Sequence, residues 1–462
     1  MSNTRRHCVA VVAAGLVICA VRPALAVNNS LFAAALNSIS EDDLYKHVEV
    51  LADDVYEGRA AGSRGGHAAG QYIIDLLKQH DLTPAGEQGD YAQPFSDDCR
   101  NLLAKLPGDD PAMENEWIVV GAHYDHVGYG KQSNSYGPYG QIHNGADDNA
   151  SGASVMLELI EAFAKSGLKT RRSILFAFWD AEERGLVGSK HWIAQPTVPI
   201  DNVKLDITID MVGRLRDERL QVLGTRSGYG MRRLFSNADD DSMLLDFSWE
   251  LSANSDHWPF LEHGVPIALM HTGLHSDYHR PSDDVEKINR AGMRKVSRYL
   301  FTALVQVANA EQLPKFRSAV RRENERMRRE LEQPKPLASL AAWPADLERP
   351  RFGATWRADE AEPGSVFLTR VVTGSPADNA GLKVGDRINA FDGQPFADSD
   401  ALFDAMRAQL DAGTQQLSLL IERNGHVRNV VVPLAPPTPP APPQRQVTKA
   451  ADRDATGAPL GN

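Results

Sequence analysis

Glu182 and Glu183 stand side by side in Ala181-Glu182-Glu183-Arg184-Gly185, directly after the apolar run Ile174 to Trp179. His123, Asp148, Asp210 and His279 each lie just past another apolar run or at the mouth of a helical stretch. Imidazole and carboxylate are ligands that zinc takes in four-coordinate sites, with one place left for water when the ion is catalytic. Two such ions a few ångströms apart need one shared carboxylate and a bridging water. With Asp148 as the bridge, His123 and Asp210 complete one set, and Glu183 and His279 the other. Two Zn²⁺ against three carboxylates and a bridging hydroxide give a cluster of about zero charge, which limits the desolvation cost of burying it. Glu182 is then the surplus acid. Neighbouring side chains on an extended segment point in different directions, so Glu183 can hold metal while Glu182 faces the water. There it takes the proton as hydroxide attacks a carbonyl and delivers it to the leaving amine. Asp125, just beyond His123, is placed to accept the spare imidazole N–H.

Other assignments compete. Asp147 neighbours Asp148 and could be the bridge, and motif register favours Asp148. His126, His143, His257, His271 and His275 are read as structural or rim residues. Ser151 and Ser255 lack the Gly-x-Ser-x-Gly elbow of a serine hydrolase, and a cysteine nucleophile has no candidate beyond Cys99, itself read as structural.

The elements that must position these residues are legible as periodicities. Residues 41–51 and 67–77 read as helices, separated by the glycine-rich loop Gly58 to Gly66. Strand-like runs at 117–121, 173–179, 203–209 and 266–271 alternate with helical stretches at 153–165 and 289–310. That alternation predicts an α/β fold, a mostly parallel central sheet flanked by helices. In such a sheet function collects at the carboxyl ends of the strands, where every candidate ligand falls. Residues 129–144, rich in glycine, tyrosine and serine, are expected to form a loop over the cleft.

Together the motifs Gly-Ala-His123-Tyr-Asp125, Gly-Ala-Asp-Asp148-Asn-Ala-Ser-Gly and Trp-Asp-Ala-Glu182-Glu183-Arg-Gly-Leu resemble those of the co-catalytic dizinc aminopeptidases. Ile-Asp210-Met, Ser255-Asp256-His257-Trp-Pro-Phe and Asp277-Tyr278-His279 continue the resemblance, which covers roughly residues 40–310. The clan also holds glutamate carboxypeptidase and glutaminyl cyclase. It implies two Zn²⁺ per chain, a peptide substrate cut at its N-terminus, and Tyr278 as a hydrogen-bond donor to the oxyanion. Arg214 and Arg280 lie close to ligands and could hold a substrate carboxylate. A carboxypeptidase or an amidohydrolase acting on N-acyl compounds is therefore the alternative, and a PDZ-centred binding or scaffold protein the alternative of another class.

That last reading comes from the C-terminal region. Ser375-Pro376 followed by Gly381 marks a short capped helix, residues 387–391 a strand and 400–410 an amphipathic helix. Residues 416–422 and 427–433 form a hairpin through Asn424-Gly425. The pattern resembles a PDZ domain of the kind appended to bacterial periplasmic proteases. The resemblance implies a groove for a peptide C-terminus, with Arg351-Phe352-Gly353 as its carboxylate loop.

The expected organisation is a signal peptide at 1–26, a dizinc peptidase domain at 27–312 and a charged helical linker at 313–348. A PDZ domain at 349–435 and a disordered proline-rich tail at 436–462 follow. The first 26 residues hold Arg5, Arg6 and Arg22, no acid, an apolar stretch and Ala24-Leu25-Ala26, the parts of a secretory signal. A secreted or periplasmic location follows, with no membrane association once the segment is removed. The chain of 462 residues carries a formal charge of −12, and losing three arginines makes it about −15. Such a surface repels phosphate backbones and argues against nucleic-acid binding.

Overall fold

A computed structural model describes residues 29–238, 242–334 and 352–434. The expected signal peptide, the proline-rich tail, part of the linker and Arg351 lie outside these residues. Among the described residues no helix is long and apolar enough to cross a membrane.

The larger unit is an α/β sandwich. Its strands are β1 (Thr83–Pro84), β2 (Ala92–Pro94), β3 (Arg100–Leu106), β4 (Trp117–His123), β5 (Ser173–Trp179), β6 (Val203–Ile209), β7 (Arg219–Leu223), β8 (Leu244–Asp246) and β9 (Ile267–His271). They run in the order β1-β3-β5-β4-β6-β9-β7-β8, with β2 pairing β3. The central four, β5-β4-β6-β9, are parallel, and antiparallel pairs flank them. Every residue of β5 is buried, because helices cover both faces and a strand so placed reads as one apolar run. Ile118, Val120, Ile174 and Phe176 face one core, with helices Gly152–Ser166 and Arg290–Asn309. Val119, Leu175, Ala177 and Trp179 face the other, with Trp192 and Phe260. Alternate side chains thus serve opposite layers.

Helix Gly152–Ser166 leaves the cleft and runs back through the larger core, carrying the buried Glu158 with it. Glu158 Oε1 accepts the Ser40 N–H at 2.7 Å, at the N-terminus of helix Glu41–Leu51, while Oε2 has no partner among the described residues. Burial pushes this carboxyl from about 4.5 to about 7. The folded state therefore holds a proton that the unfolded chain has lost, and stability falls as pH rises between these values. The whole penalty, about 3 kcal/mol, is present above pH 7. Glu158→Gln keeps an acceptor for Ser40 and removes the charge. Its stability in urea is expected to exceed that of the parent at pH 8 and to match it near pH 4.5. An equal difference at both pH values would sink the argument.

The second unit is a five-stranded antiparallel sheet in the order β10 to β14: Ala354–Ala358, Val366–Val371, Arg387–Phe391, Gln416–Arg423 and His426–Pro433. Ser375 caps the short helix Pro376–Asn379 by accepting the Asp378 N–H. Helix Ser399–Asp411 packs Leu402 and Met406 into a core with Val366, Ile388 and Leu419.

The charged linker differs from the expectation of a solvated helix. Among its described residues helix spans only Glu325–Glu332, and a 3₁₀ turn spans Ser318–Arg322. Arg317 is buried against Glu323, and Glu323 also holds Arg226. Helix neighbours do pair, Arg328 with Glu325 and Glu332, while Glu323 outside the helix reaches Arg226, distant in sequence.

Candidate metal centre

The parallel strands deliver their carboxyl ends to one cleft. His123 is the last residue of β4, Asp210 follows β6 directly, and Glu182-Glu183 occupy the turn after β5. Asp148 arrives on the loop before helix Gly152–Ser166 and His279 on the loop after β9. His123 Nε2 lies 3.4 Å from Asp148 Oδ1 and 3.5 Å from Asp210 Oδ1. His279 Nε2 lies 3.1 Å from both Asp148 Oδ2 and Glu183 Oε2. Two donor groups of metal-binding geometry result, His123-Asp148-Asp210 and His126-Asp148-Glu183-His279, and they share Asp148. Asp147 turns away: its oxygens take the Gly213 N–H at 2.7 Å and face His275 at 3.1 Å.

The residues fit divalent ions. Asp148 Oδ2 and Asp210 Oδ1 are buried and receive no hydrogen bond from the described residues, although imidazole nitrogens stand beside them. Lone pairs that approach without pairing converge on common points, as donors around a cation do. Electrostatics agree. Burial opposes ionisation of Asp148, yet His123 and His279 hold its carboxyl well below the usual range. Burial likewise opposes charge on His279, and Asp148 and Glu183 overcome it, raising its pKa to about 11. The pocket demands positive charge.

Glu182 makes no hydrogen bond through its carboxylate to the described residues. Burial pushes it well above the ordinary glutamate range; His123 opposes this, and Glu183, Asp256 and Asp210 reinforce it. Its backbone N–H is held by Asp125 Oδ1 at 3.0 Å, and that of Glu183 by Oδ2 at 3.4 Å. Asp125 therefore differs from expectation. His123 Nδ1 is nearer the Asp125 backbone carbonyl, at 3.2 Å, than its carboxylate at 3.8 Å, because the carboxylate is spent on the Glu182-Glu183 turn. Tyr278 stacks on His279 at 3.9 Å between centroids. Burial, then the charges of Asp148, Glu183, Asp210 and Glu182, raises its hydroxyl well above the ordinary value, so it stays a donor. Ala181, Met211 and His279 all have φ between 52° and 58°, a costly left-handed backbone for such residues that clusters at functional sites.

Several positioning residues escaped the sequence reading. Arg59, fully buried, donates to the carbonyls of Leu51, Tyr124, Asn144 and Gly145. Asp283 Oδ2 accepts the N–H groups of Asp147 and Asp148, each at 3.0 Å. Asn149 ties the Asp148 loop to β6, through Ile209 O and the Met211 N–H. His126 joins the Glu183 side, and its spacing of three from His123 was the available signal. Residues 129–144 form the expected loop, anchored where Ser135 Oγ and the Tyr136 N–H donate to the His279 carbonyl.

In the second unit, Phe352 and Gly353 precede β10, which among the described residues pairs on one side only. Gly353 has φ +88°, and a Cβ there would lie 2.1 Å from that of Ser375, so the turn needs glycine. Asp359 and Glu362 face arginines of the larger unit rather than this turn.

Comparison with known proteins agrees with this architecture. Residues 101–304 match the model of peptidase family M28, and residues 348–434 that of the PDZ domain. Leupeptin-inactivating enzyme 1 of Streptomyces exfoliatus is 27% identical over 40% of this chain and 38% of its own length. Aminopeptidase YwaD of Bacillus subtilis is 27% identical over 43% of this chain and 42% of its own. The chain thus spans less than half the length of these curated relatives. The crystal structure of the LapA aminopeptidase of Legionella pneumophila shares the fold with a TM-score of 0.50, at 23% identity, over 62% of this chain and 76% of that one. Residues 101–304 thus carry the pattern of peptidase family M28, and residues 348–434 after them that of a PDZ domain.

Proposed function

We propose that the chain is a zinc-dependent aminopeptidase that removes N-terminal residues from peptides. The observation that carries this reading is the pair of donor groups sharing Asp148, with the unbonded carboxylate of Glu182 beside them. His123, Asp148 and Asp210 would hold one zinc ion, and Asp148, Glu183 and His279 the other. Bound there, the two ions supply Lewis acidity toward the scissile carbonyl and make water a nucleophile at neutral pH. Glu182 accepts the proton of the attacking water and passes it to the leaving amine. Tyr278 donates its O–H to the oxygen on which negative charge develops. Asp125, holding both backbone N–H groups of the Glu182-Glu183 turn, fixes the distance between acid/base and ligand.

Cleavage from the N-terminus is supported by what the arginines do. Arg214 is bonded to Asp277 at 3.0 Å, and Arg280 donates to the Tyr136 and Gly137 carbonyls. Arg214 is thus already paired with a carboxylate and Arg280 anchors the loop through Nη1, uses that compete with holding a substrate carboxylate. The PDZ domain is read as taking a peptide C-terminus along the free edge of β10, with export directed by residues 1–26. Loss of PDZ binding when a peptide's C-terminus is amidated, and enzyme recovered outside the cytoplasm, would check these two points.

Elemental analysis with a leucine anilide assay tests the central reading. About two zinc ions per chain, activity abolished by a chelator and activity restored by zinc are expected. A folded chain that takes up no metal when zinc is supplied would overturn it. Two ions with cleavage only of N-acyl or C-terminal amides would transfer the site to the alternative activities.

A further inference from the structure

The two donor groups are unequal, and the inequality lies in His126. Its ring is buried, with Nδ1 2.8 Å from Glu183 Oε1 and 3.7 Å from Asp148 Oδ2, while Nε2 has no partner among the described residues. It stands edge-on to His279, 5.5 Å between centroids. The backbone fixes it there, since the His126 N–H donates to the Arg59 carbonyl at 3.1 Å. Gly145 makes room for the ring: a Cβ at that position would lie 2.5 Å from His126 Cδ2.

Zinc–ligand bonds of about 2.0–2.1 Å put the edges of a tetrahedron at about 3.3 Å. Donor separations on this side are 2.8, 3.1, 3.1 and 3.7 Å, which straddle that edge. On the other side, among the described residues, only His123, Asp148 and Asp210 converge. We infer that His126 is a metal ligand through Nδ1, closing a four-residue shell with Asp148, Glu183 and His279, while the His123-Asp210 side keeps one position free. The inference rests on the reading that the cleft holds two metal ions. A closed shell of protein ligands is the pattern of a structural ion, and an open one that of a catalytic ion. The closed place fills first and holds tighter, so the open place governs activity at limiting metal. The competing arrangement is a protonated Nδ1 that merely hydrogen-bonds Glu183.

Metal titration of the stripped full-length chain with cobalt separates the two. The parent is expected to fill in two steps of unequal affinity. His126→Ala should weaken one step by more than the about 10–100-fold typical of a lost outer partner, and should alter the visible cobalt spectrum. His126→Cys should add a thiolate-to-cobalt charge-transfer band in the near ultraviolet. Cadmium-loaded, nitrogen-labelled parent protein needs no variant. There three imidazole nitrogens, rather than two, should show coupling to metal. Two coupled nitrogens, an unchanged spectrum in His126→Ala or no new band in a folded His126→Cys would overturn the assignment and leave a hydrogen bond. A parent that binds no metal would instead overturn the proposed function itself.

Discussion

Replacing Glu182 by glutamine is expected to lower kcat by about 10²–10⁴-fold, the share usually carried by a positioned acid/base. Zinc content should stay that of the parent, because Glu182 belongs to neither donor group. Glutamine has nearly the same shape, so the turn that Asp125 holds by both backbone N–H groups should survive. KM should move little and kcat/KM should fall with kcat, as for an interaction made only in the transition state. Glu183→Gln is the necessary contrast. Its carboxylate faces His126 at 2.8 Å and His279 at 3.1 Å, so that variant should lose metal as well as activity. Measuring zinc and anilide turnover on both variants decides the matter. Near-normal turnover in Glu182→Gln, or loss of metal from it, would reverse the roles of the two glutamates.

The residues proposed for this division of labour were legible in the sequence because metal chemistry needs particular side chains at particular places in an α/β sheet. His123, Glu183 and Asp210 sit at the carboxyl ends of apolar runs, and apolar runs are the easiest feature to read. Asp148 over Asp147 needed motif register, and geometry gives the physical reason, since Asp147 is occupied by Gly213 and His275. Arg59, Asp283 and Asn149 were illegible for a different reason. Their partners are backbone groups: the Asn144 carbonyl for Arg59, the Asp148 N–H for Asp283 and the Ile209 carbonyl for Asn149. A backbone carbonyl or N–H leaves no trace in residue type. Arg59 looked like one more charge in a glycine-rich loop. The linker misled in the opposite way, because its alternating charges suit a solvated helix as well as a buried network.

That network sets the second large effect. Asp359→Ala is expected to destabilise the docking of the PDZ domain by about 3 kcal/mol, the low end for breaking a buried ion pair, because Glu323 still holds Arg226 while Arg387 loses its nearest carboxylate. Asp359 takes Arg226 through both oxygens, at 2.8 and 2.9 Å, and Arg387 at 3.2 Å. Arg232 pairs with Glu422 at 2.9 and 3.0 Å, and the Glu362 carboxylate takes the Arg232 N–H. Asp359, Glu362, Arg387 and Glu422 are all buried. The arginines of the larger unit lie beyond β7, which runs antiparallel to β9. The chain therefore leaves β7 at the end of the sheet where the parallel strands begin, away from His123 and Asp210. Held there, the PDZ domain is not a lid on the cleft, so the docking can be broken without touching the chemistry. Calorimetry of Asp359→Ala should show a separate, earlier transition for the PDZ domain, and a protease should release it, while anilide turnover per folded chain persists. Replacing Arg232 and Glu422 together by methionine and leucine should cost less than removing Glu422 alone, because Arg232 is then not left as an uncompensated charge, although the Gly425 N–H loses its acceptor. A parent-like melting curve and protease resistance in Asp359→Ala would mean that apolar contacts alone hold the two units. Turnover lost together with docking would mean that the cleft depends on the PDZ domain after all.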